Sequence, residues 1–234
     1  MSTKVILVTG AGSGIGQATA RRLSGEGHTL CLMGRNRAKL EALQLPGSIH
    51  ICDVRDADAV RAEVNAIQGT HGRIDAVVNN AGLGYFNPIA EAPLAEWHEM
   101  VDVNVKGALN VIHACLPHLM ASGGHLINIA SVGGHNVFAN SGVYCATKHA
   151  LLAISEGLRL ELSGKINVTT ISPGPVATPF IEQTKNPRLL SEYKDYFAAG
   201  LQPDTVARQI AYALTMAEDG VVSEIIIRPK RVER

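Results

Sequence analysis

Tyr144 and Lys148 stand four residues apart, and Ser131 precedes the tyrosine by thirteen. On a helix, residues four apart share a face, one turn above the other. The ammonium would then lie beside the phenol, and a nearby positive charge lowers a phenol's pKa from its ordinary value of about 10. A tyrosine tuned in this way can give a proton to a carbonyl oxygen or take one from an alcohol. The same residues also suit an ordinary helix, with the tyrosine packed and the lysine solvated. The rest of the chain has to separate the two readings.

The elements around the pair alternate strand and helix. Residues 4–8 form a β-rich run, followed at once by Thr9-Gly-Ala-Gly-Ser-Gly-Ile-Gly16 and an amphipathic helical pattern. In that context glycines let a backbone approach a pyrophosphate, and a helix amino terminus offers unpaired N–H groups and partial positive charge. A tight turn needs glycine for steric reasons as well. A second buried strand, 28–33, ends in Gly34-Arg35-Asn36-Arg37, where an NAD-type unit would carry an acid for the ribose 2′-hydroxyl. No acid is present, and Arg35 stands where a 2′-phosphate would lie. A charge-assisted pair of about 1.5–3 kcal/mol is enough for roughly ten- to a hundredfold preference for NADP.

Further strands are expected at 48–52, 75–79, 124–130, 166–171 and 221–228, with helices at 56–68, 94–120, 142–162 and 204–216. Asp53, Asn80 and Ser131 fall just past the carboxyl ends of strands, where open parallel sheets gather ligands. Seven strands alternating with helices imply a single α/β domain over residues 1–234, doubly wound and Rossmann-like, with a seven-stranded parallel sheet. Asn104 interrupts the 94–120 helix, where it calls for a packing or functional contact. The aromatic-rich segment 180–201 is the candidate for a substrate lid. His135 and Tyr85 follow strand ends and are open to substrate contact.

Composition excludes several classes. Formal net charge is zero, with 46% hydrophobic and 18% charged residues, so no basic field points to nucleic acid or an acidic membrane surface. No apolar run approaches the roughly 18 residues of a spanning helix, and no signal peptide is expected before the first strand. Four separated cysteines read as buried thiols, and the cytoplasm is the expected compartment. The nine histidines form no ligand cluster, so no metal is expected.

Together, Thr9-Gly10-x-x-x-Gly14-x-Gly16, Asp53, Asn79-Asn80-Ala81-Gly82, Asn104, Ser131, Tyr144-x-x-x-Lys148 and Pro173-Gly174 resemble the classical short-chain dehydrogenase/reductase family over essentially the whole chain. The resemblance implies that Tyr144 is the general acid/base, and that Lys148 lowers its pKa and bonds the nicotinamide ribose. Ser131 would polarise the substrate oxygen, and Asn104 would position a water that relays protons toward Lys148. It also implies that Gly10, Ser13, Gly14, Ile15 and Gly16 cradle the pyrophosphate, that Asp53 and Val54 flank the adenine, and that Asn80, Ala81 and Gly82 line the ribose side. Pro173, Gly174, Val176 and Thr178 would close over the carboxamide, and Arg35 matches the family's NADP arginine. The expected activity is NADP(H)-dependent hydride transfer between nicotinamide and a small aldehyde or ketone, or the corresponding alcohol. The ending Glu224-Ile-Ile-Ile-Arg-Pro229 is similar to that of reductases acting on small hydroxy acids, hydroxy amino acids or sulfoacetaldehyde. The resemblance further suggests a homotetramer or homodimer. The competing reading is an NADP-binding sensor or scaffold without catalysis.

Overall fold

The computed structural model of the chain describes residues 3–216 and 220–230. Among the described residues, runs rich in Val, Ile and Leu form strands β1 Val5–Thr9, β2 Thr29–Gly34, β3 Gly47–Ile51, β4 Ala76–Asn79, β5 His125–Ile129, β6 Asn167–Pro173 and β7 Glu224–Ile227. They pair in the order β3-β2-β1-β4-β5-β6-β7, every neighbour parallel. The sheet is therefore the seven-stranded, doubly wound, Rossmann-like one expected from sequence. β1, β4 and β5 are buried at every position, because helices cover both faces and the apolar run has no polar side to alternate with.

The helices are α1 Gly14–Gly25, α2 Arg37–Glu41, α3 Ala57–His71, α4 Leu94–Val101, α5 Ala108–Ser122, α6 Gly142–Glu161, α7 Pro187–Ala198 and α8 Pro203–Thr215. On one face, Leu7, Val77 and Leu126 pack against Val60, Val64 and Ile67 of α3 and Val111, Cys115 and Leu119 of α5. On the other, Ile6, Val8 and Ile127 meet Ala20 and Leu23 of α1 and Val206, Ile210 and Leu214 of α8. A forked contact from Arg22 to Asp204, at 2.8 and 3.1 Å, joins α1 to α8 at the surface. The direction of winding reverses between β1 and β4, which opens a crevice at their carboxyl ends.

Two stretches differ from their expected form. The continuous helix expected over 94–120 is divided by a π-helical turn, Asp102–Gly107, between α4 and α5. Gly107 lies so close to α3's leading loop that an added Cβ would meet Val54 Cγ2 at 2.7 Å. Pro117 sits inside α5 without ending it; the helix stops at Gly123 in the left-handed region, φ +62°. The last strand is shorter than expected, Glu224–Ile227 rather than 221–228.

Candidate active site

A cavity of about 1400 Å³ runs along the carboxyl ends of the strands. At one end lie Arg35 and Lys39 after β2, and Asp53 and Val54 after β3; the turn between β1 and α1 forms its floor. The turn is held from beneath. Thr9 Oγ1 accepts from the backbone N–H groups of Asn80 and Ala81 at 2.9 and 3.0 Å, and Asn80 Nδ2 donates to the Thr9 carbonyl at 2.9 Å. Gly10 has φ +64°, a conformation that favours glycine. A side chain on Gly16 would collide with the Gly10 carbonyl oxygen and sit 2.6 Å from Asn80 Nδ2. Gly16 is thus a point of close approach beneath the turn and does not line the cavity, while Gly10, Ser13, Gly14 and Ile15 do. Ser13 caps α1 without a side-chain bond, so the first N–H groups of the helix remain directed at the cavity.

Arg35 is largely exposed and only 3.9 Å from Asp53 Oδ2. Asp53 is held instead by Arg55, whose Nη2 donates to Oδ2 at 2.6 Å; this hydrogen bond first, with Coulomb attraction, keeps the Asp53 carboxyl below the usual range. The Arg35 guanidinium is therefore left with a weak protein partner beside the open cavity.

At the other end, α6 presents Tyr144 and Lys148 one turn apart, as their spacing predicts, with Lys148 Nζ 5.9 Å from the phenol ring's centroid. Lys148 is buried and donates to the Ile129 carbonyl at 2.9 Å. Burial lowers its pKa to about 8. Burial also pushes the Tyr144 phenol up to about 12, and a hydrogen bond with Ser131 offsets only part of that. Desolvation is the largest influence on the phenol, so its pKa lies above the ordinary value and not below it as the spacing alone implies. Ser131 follows β5 and accepts from the Gly133 N–H at 3.0 Å.

Asn104 lies in the π turn, buried, and does not line the cavity. Its Oδ1 accepts from Leu83 N at 2.8 Å, and its Nδ2 donates to Leu83 O at 2.7 Å and to Thr147 Oγ1 at 3.1 Å. The amide braces the loop after β4 against α6. A Cβ on Gly82 would sit 3.3 Å from Asn104 Oδ1 and 3.6 Å from Lys148 Nζ, so both side chains converge on that glycine.

Pro173 at the end of β6, with Gly174, Val176 and Thr178 after it, completes the wall, as do Asn80, Ala81 and Gly82 after β4. His135 and Tyr85 do not line this cavity. His135 Nε2 lies 3.0 Å from Glu224 Oε1, and the Tyr85 hydroxyl donates to Glu99 Oε2 at 2.6 Å. Sequence reasoning missed Lys39, the bracing role of Thr9 and an aromatic cluster over Tyr144. Phe86 and Phe180 stand 6.1 and 5.6 Å from its ring, and Tyr193 and Phe197 of α7 pack on Phe86 at 5.5 and 5.7 Å. The aromatic content of 180–201 was the signal for half of this cluster; nothing local marks Phe86 as its centre. Among the described residues no group of three His, Cys, Asp or Glu side chains converges to hold a metal ion.

A glycine turn at the switch point of a parallel sheet, facing a Ser–Tyr–Lys group across one cavity, defines a dinucleotide-binding α/β fold with an oxidoreductase-type site. The family model described as short chain dehydrogenase matches residues 4–188. An uncharacterised oxidoreductase of Staphylococcus saprophyticus is 40% identical over 235 residues, covering 97% of this chain and 96% of the relative. Among solved structures, the closed form of a serine dehydrogenase complexed with NADP+ is 31% identical, with TM-score 0.90, covering 96% of this chain and 94% of that one. A 3-ketoacyl-(acyl-carrier-protein) reductase from Brucella melitensis, complexed with NADH, is 27% identical with TM-score 0.87, covering 98% of each chain. The chain is an oxidoreductase of the short-chain dehydrogenase/reductase family.

Proposed function

We propose that the chain catalyses NADP(H)-dependent, reversible hydride transfer between nicotinamide and a carbonyl compound or its alcohol, with Tyr144 as general acid/base. The observation that carries this reading is that Ser131, Tyr144 and Lys148 share one cavity with the glycine turn and Arg35. The residues fit a dinucleotide: glycines at 10, 12, 14 and 16 let the turn's backbone come close, the α1 N–H groups are open, and a guanidinium stands at the far end. When bound, the nicotinamide supplies or accepts the hydride.

The protein's own groups do the rest. Gly10, Ser13, Gly14 and Ile15 hold the pyrophosphate against the amino terminus of α1, with Gly16 keeping the turn close. Asp53 and Val54 flank the adenine, Arg35 with Lys39 faces a 2′-phosphate, and Asn80, Ala81 and Gly82 line the ribose side. Pro173, Gly174, Val176 and Thr178 close over the carboxamide. Lys148 bonds the nicotinamide ribose. The Tyr144 phenol, protonated at neutral pH, donates to the carbonyl oxygen during reduction, while the Ser131 hydroxyl holds that oxygen. In oxidation the proton moves back. Asn104 positions the loop after β4 relative to α6, and a water beside it carries protons toward Lys148.

The chain acts as one catalytic domain, with 180–201 as its lid, in the cytoplasm and as a homodimer or homotetramer. All four cysteines are free and buried, as a reducing compartment permits. Among the described residues no helix is long and apolar enough to cross a membrane. Leu94, Val101, Leu109 and Met120 on α4 and α5 are exposed apolar residues available to a second copy.

The test is Tyr144→Phe, assayed by NADPH absorbance with an aldehyde and ketone panel. Turnover should fall by roughly 10²–10⁴-fold, while the NADPH dissociation constant stays within about threefold. More than a tenth of wild-type activity in the variant refutes the acid/base role. A wild type that binds NADPH and turns over nothing is a sensor or scaffold.

A further inference from the structure

We infer that the substrate is a carbonyl compound with an aromatic or bulky apolar body and no negative charge. The inference rests on the oxidoreductase reading above and narrows it. The reacting phenol is boxed by rings from segments distant in sequence: Phe86 after β4 and Phe180 after β6, at 6.1 and 5.6 Å. Phe197 stacks on both, at 5.7 and 6.2 Å. The rings are backed by the loop after β4, since a Cβ on Gly84 would meet Phe180 Cζ at 2.6 Å and Tyr144 Cδ2 at 3.1 Å. Flat aromatic surfaces accept one another at such separations.

Charge points the same way. Glu182, Glu192 and Asp195, all from 179–198, line this end of the cavity. No salt bridge neutralises any of them among the described residues. Of the lining cations, Arg35 and Lys39 lie at the β2 end, and Lys148, beside Tyr144, is buried with its ammonium on the Ile129 carbonyl. The cations of the same segment do not line the cavity; Lys185 lies over the Tyr85 ring at 5.4 Å and 4.0 Å from Glu96. Among the described residues, a substrate carboxylate or sulfonate at this end would therefore find no guanidinium in the cavity lining and would approach three exposed like charges. This disfavours the small hydroxy acids, hydroxy amino acids and sulfoacetaldehyde suggested by the chain's ending.

The experiment compares three para-substituted benzaldehydes with NADPH: 4-methylbenzaldehyde, the 4-trimethylammonio analogue and 4-formylbenzoate. L-serine, 3-hydroxybutyrate and 2-hydroxyethanesulfonate are run with NADP+. The neutral and cationic aldehydes should exceed 4-formylbenzoate in kcat/KM by roughly tenfold or more. In Glu192→Gln/Asp195→Asn the anion-to-neutral ratio should rise several-fold. Thermal shift in the presence of NADP+, using the three matching benzyl alcohols, gives the same order without turnover. A preference for 4-formylbenzoate or for any of the three anionic or zwitterionic alcohols overturns the inference and leaves the oxidoreductase reading standing. If nothing in the panel turns over, that reading fails. The thermal-shift order then still decides the inference: neutral and cationic above anionic supports it, and a flat or reversed order overturns it.

Discussion

Lys148→Met should change stability in a way that depends on pH, and the size follows from where the ammonium sits. Lys148 is buried, with one protein hydrogen bond, to Ile129 O, and its pKa falls from 10.5 to about 8 through desolvation. At about 1.4 kcal/mol per pH unit, holding the charged form inside the folded chain costs about 3 kcal/mol. Below pH 8 both folded and unfolded chains carry the charge and the cost is complete. Between pH 8 and 10.5 the folded chain releases the proton first, so the unfolded chain binds more protons and this contribution to stability rises with pH. Above 10.5 the cost is gone.

The wild-type profile alone would hide this. Burial raises Tyr144 and Cys115 to about 12 and Cys52 to about 11. The unfolded chain therefore loses those protons first, and stability falls as pH climbs through their ordinary values. The variant retains these groups, so subtracting one profile from the other cancels them. Methionine has similar length and no charge; losing the bond to Ile129 O adds a pH-independent offset of about 1 kcal/mol. Urea unfolding of both reduced, cofactor-free proteins between pH 7 and 10.5 measures the difference. The variant's advantage should shrink by about 3 kcal/mol across that range. A difference constant to within about 1 kcal/mol would show that the ammonium is not desolvated and refute the burial argument.

Two further outcomes follow from the cofactor end. Arg35→Ala should raise the KM for NADPH roughly ten- to a hundredfold and leave that for NADH nearly unchanged; a wild type that already prefers NADH would show that the end of β2 has been misread. Gly16→Ala should cost about 1–3 kcal/mol in thermal unfolding and weaken NADPH binding in titration, because the new methyl collides with the Gly10 carbonyl. Gly25→Ala is the control: its added Cβ meets nothing within 4 Å, and a gain of up to about 1 kcal/mol is expected there. Equal losses at both positions would refute the steric argument.

The strands, their parallel sheet and most of the cavity were legible because they rest on local rules. Parallel strands covered on both faces must be continuous apolar runs, as β1 and β4 are, and ligand-facing residues must follow their carboxyl ends. Asn104 shows where such rules stop. Its position inside a helical pattern signalled a contact, but the contact is with Leu83 and Thr147, 21 and 43 residues away in sequence. The π turn around it was equally hidden, since Gly107 meets Val54 from the far side of β4. Tyr144 is the sharper case. A spacing of four gives the distance to the ammonium but says nothing of burial, and burial decides the sign of the phenol's shift.

The same limit explains why reaction chemistry was readable and substrate was not. Groups that serve the reaction must keep fixed positions relative to the dinucleotide, so they occupy fixed places along the sheet. The substrate wall depends on which face α7 turns inward. In Arg188-Leu-Leu-Ser-Glu192-Tyr-Lys194-Asp195 both signs of charge are interleaved, and the sequence alone does not choose between them. The choice comes from the stripe Leu189, Tyr193 and Phe197, four residues apart, which packs with Phe86 and Ile181. Seating that stripe brings Glu192 and Asp195 to the cavity and leaves Arg188 and Lys194 out of its lining. The charge a substrate meets is therefore fixed by a packing contact with Phe86, about a hundred residues upstream of α7, and not by the net charge of the lid.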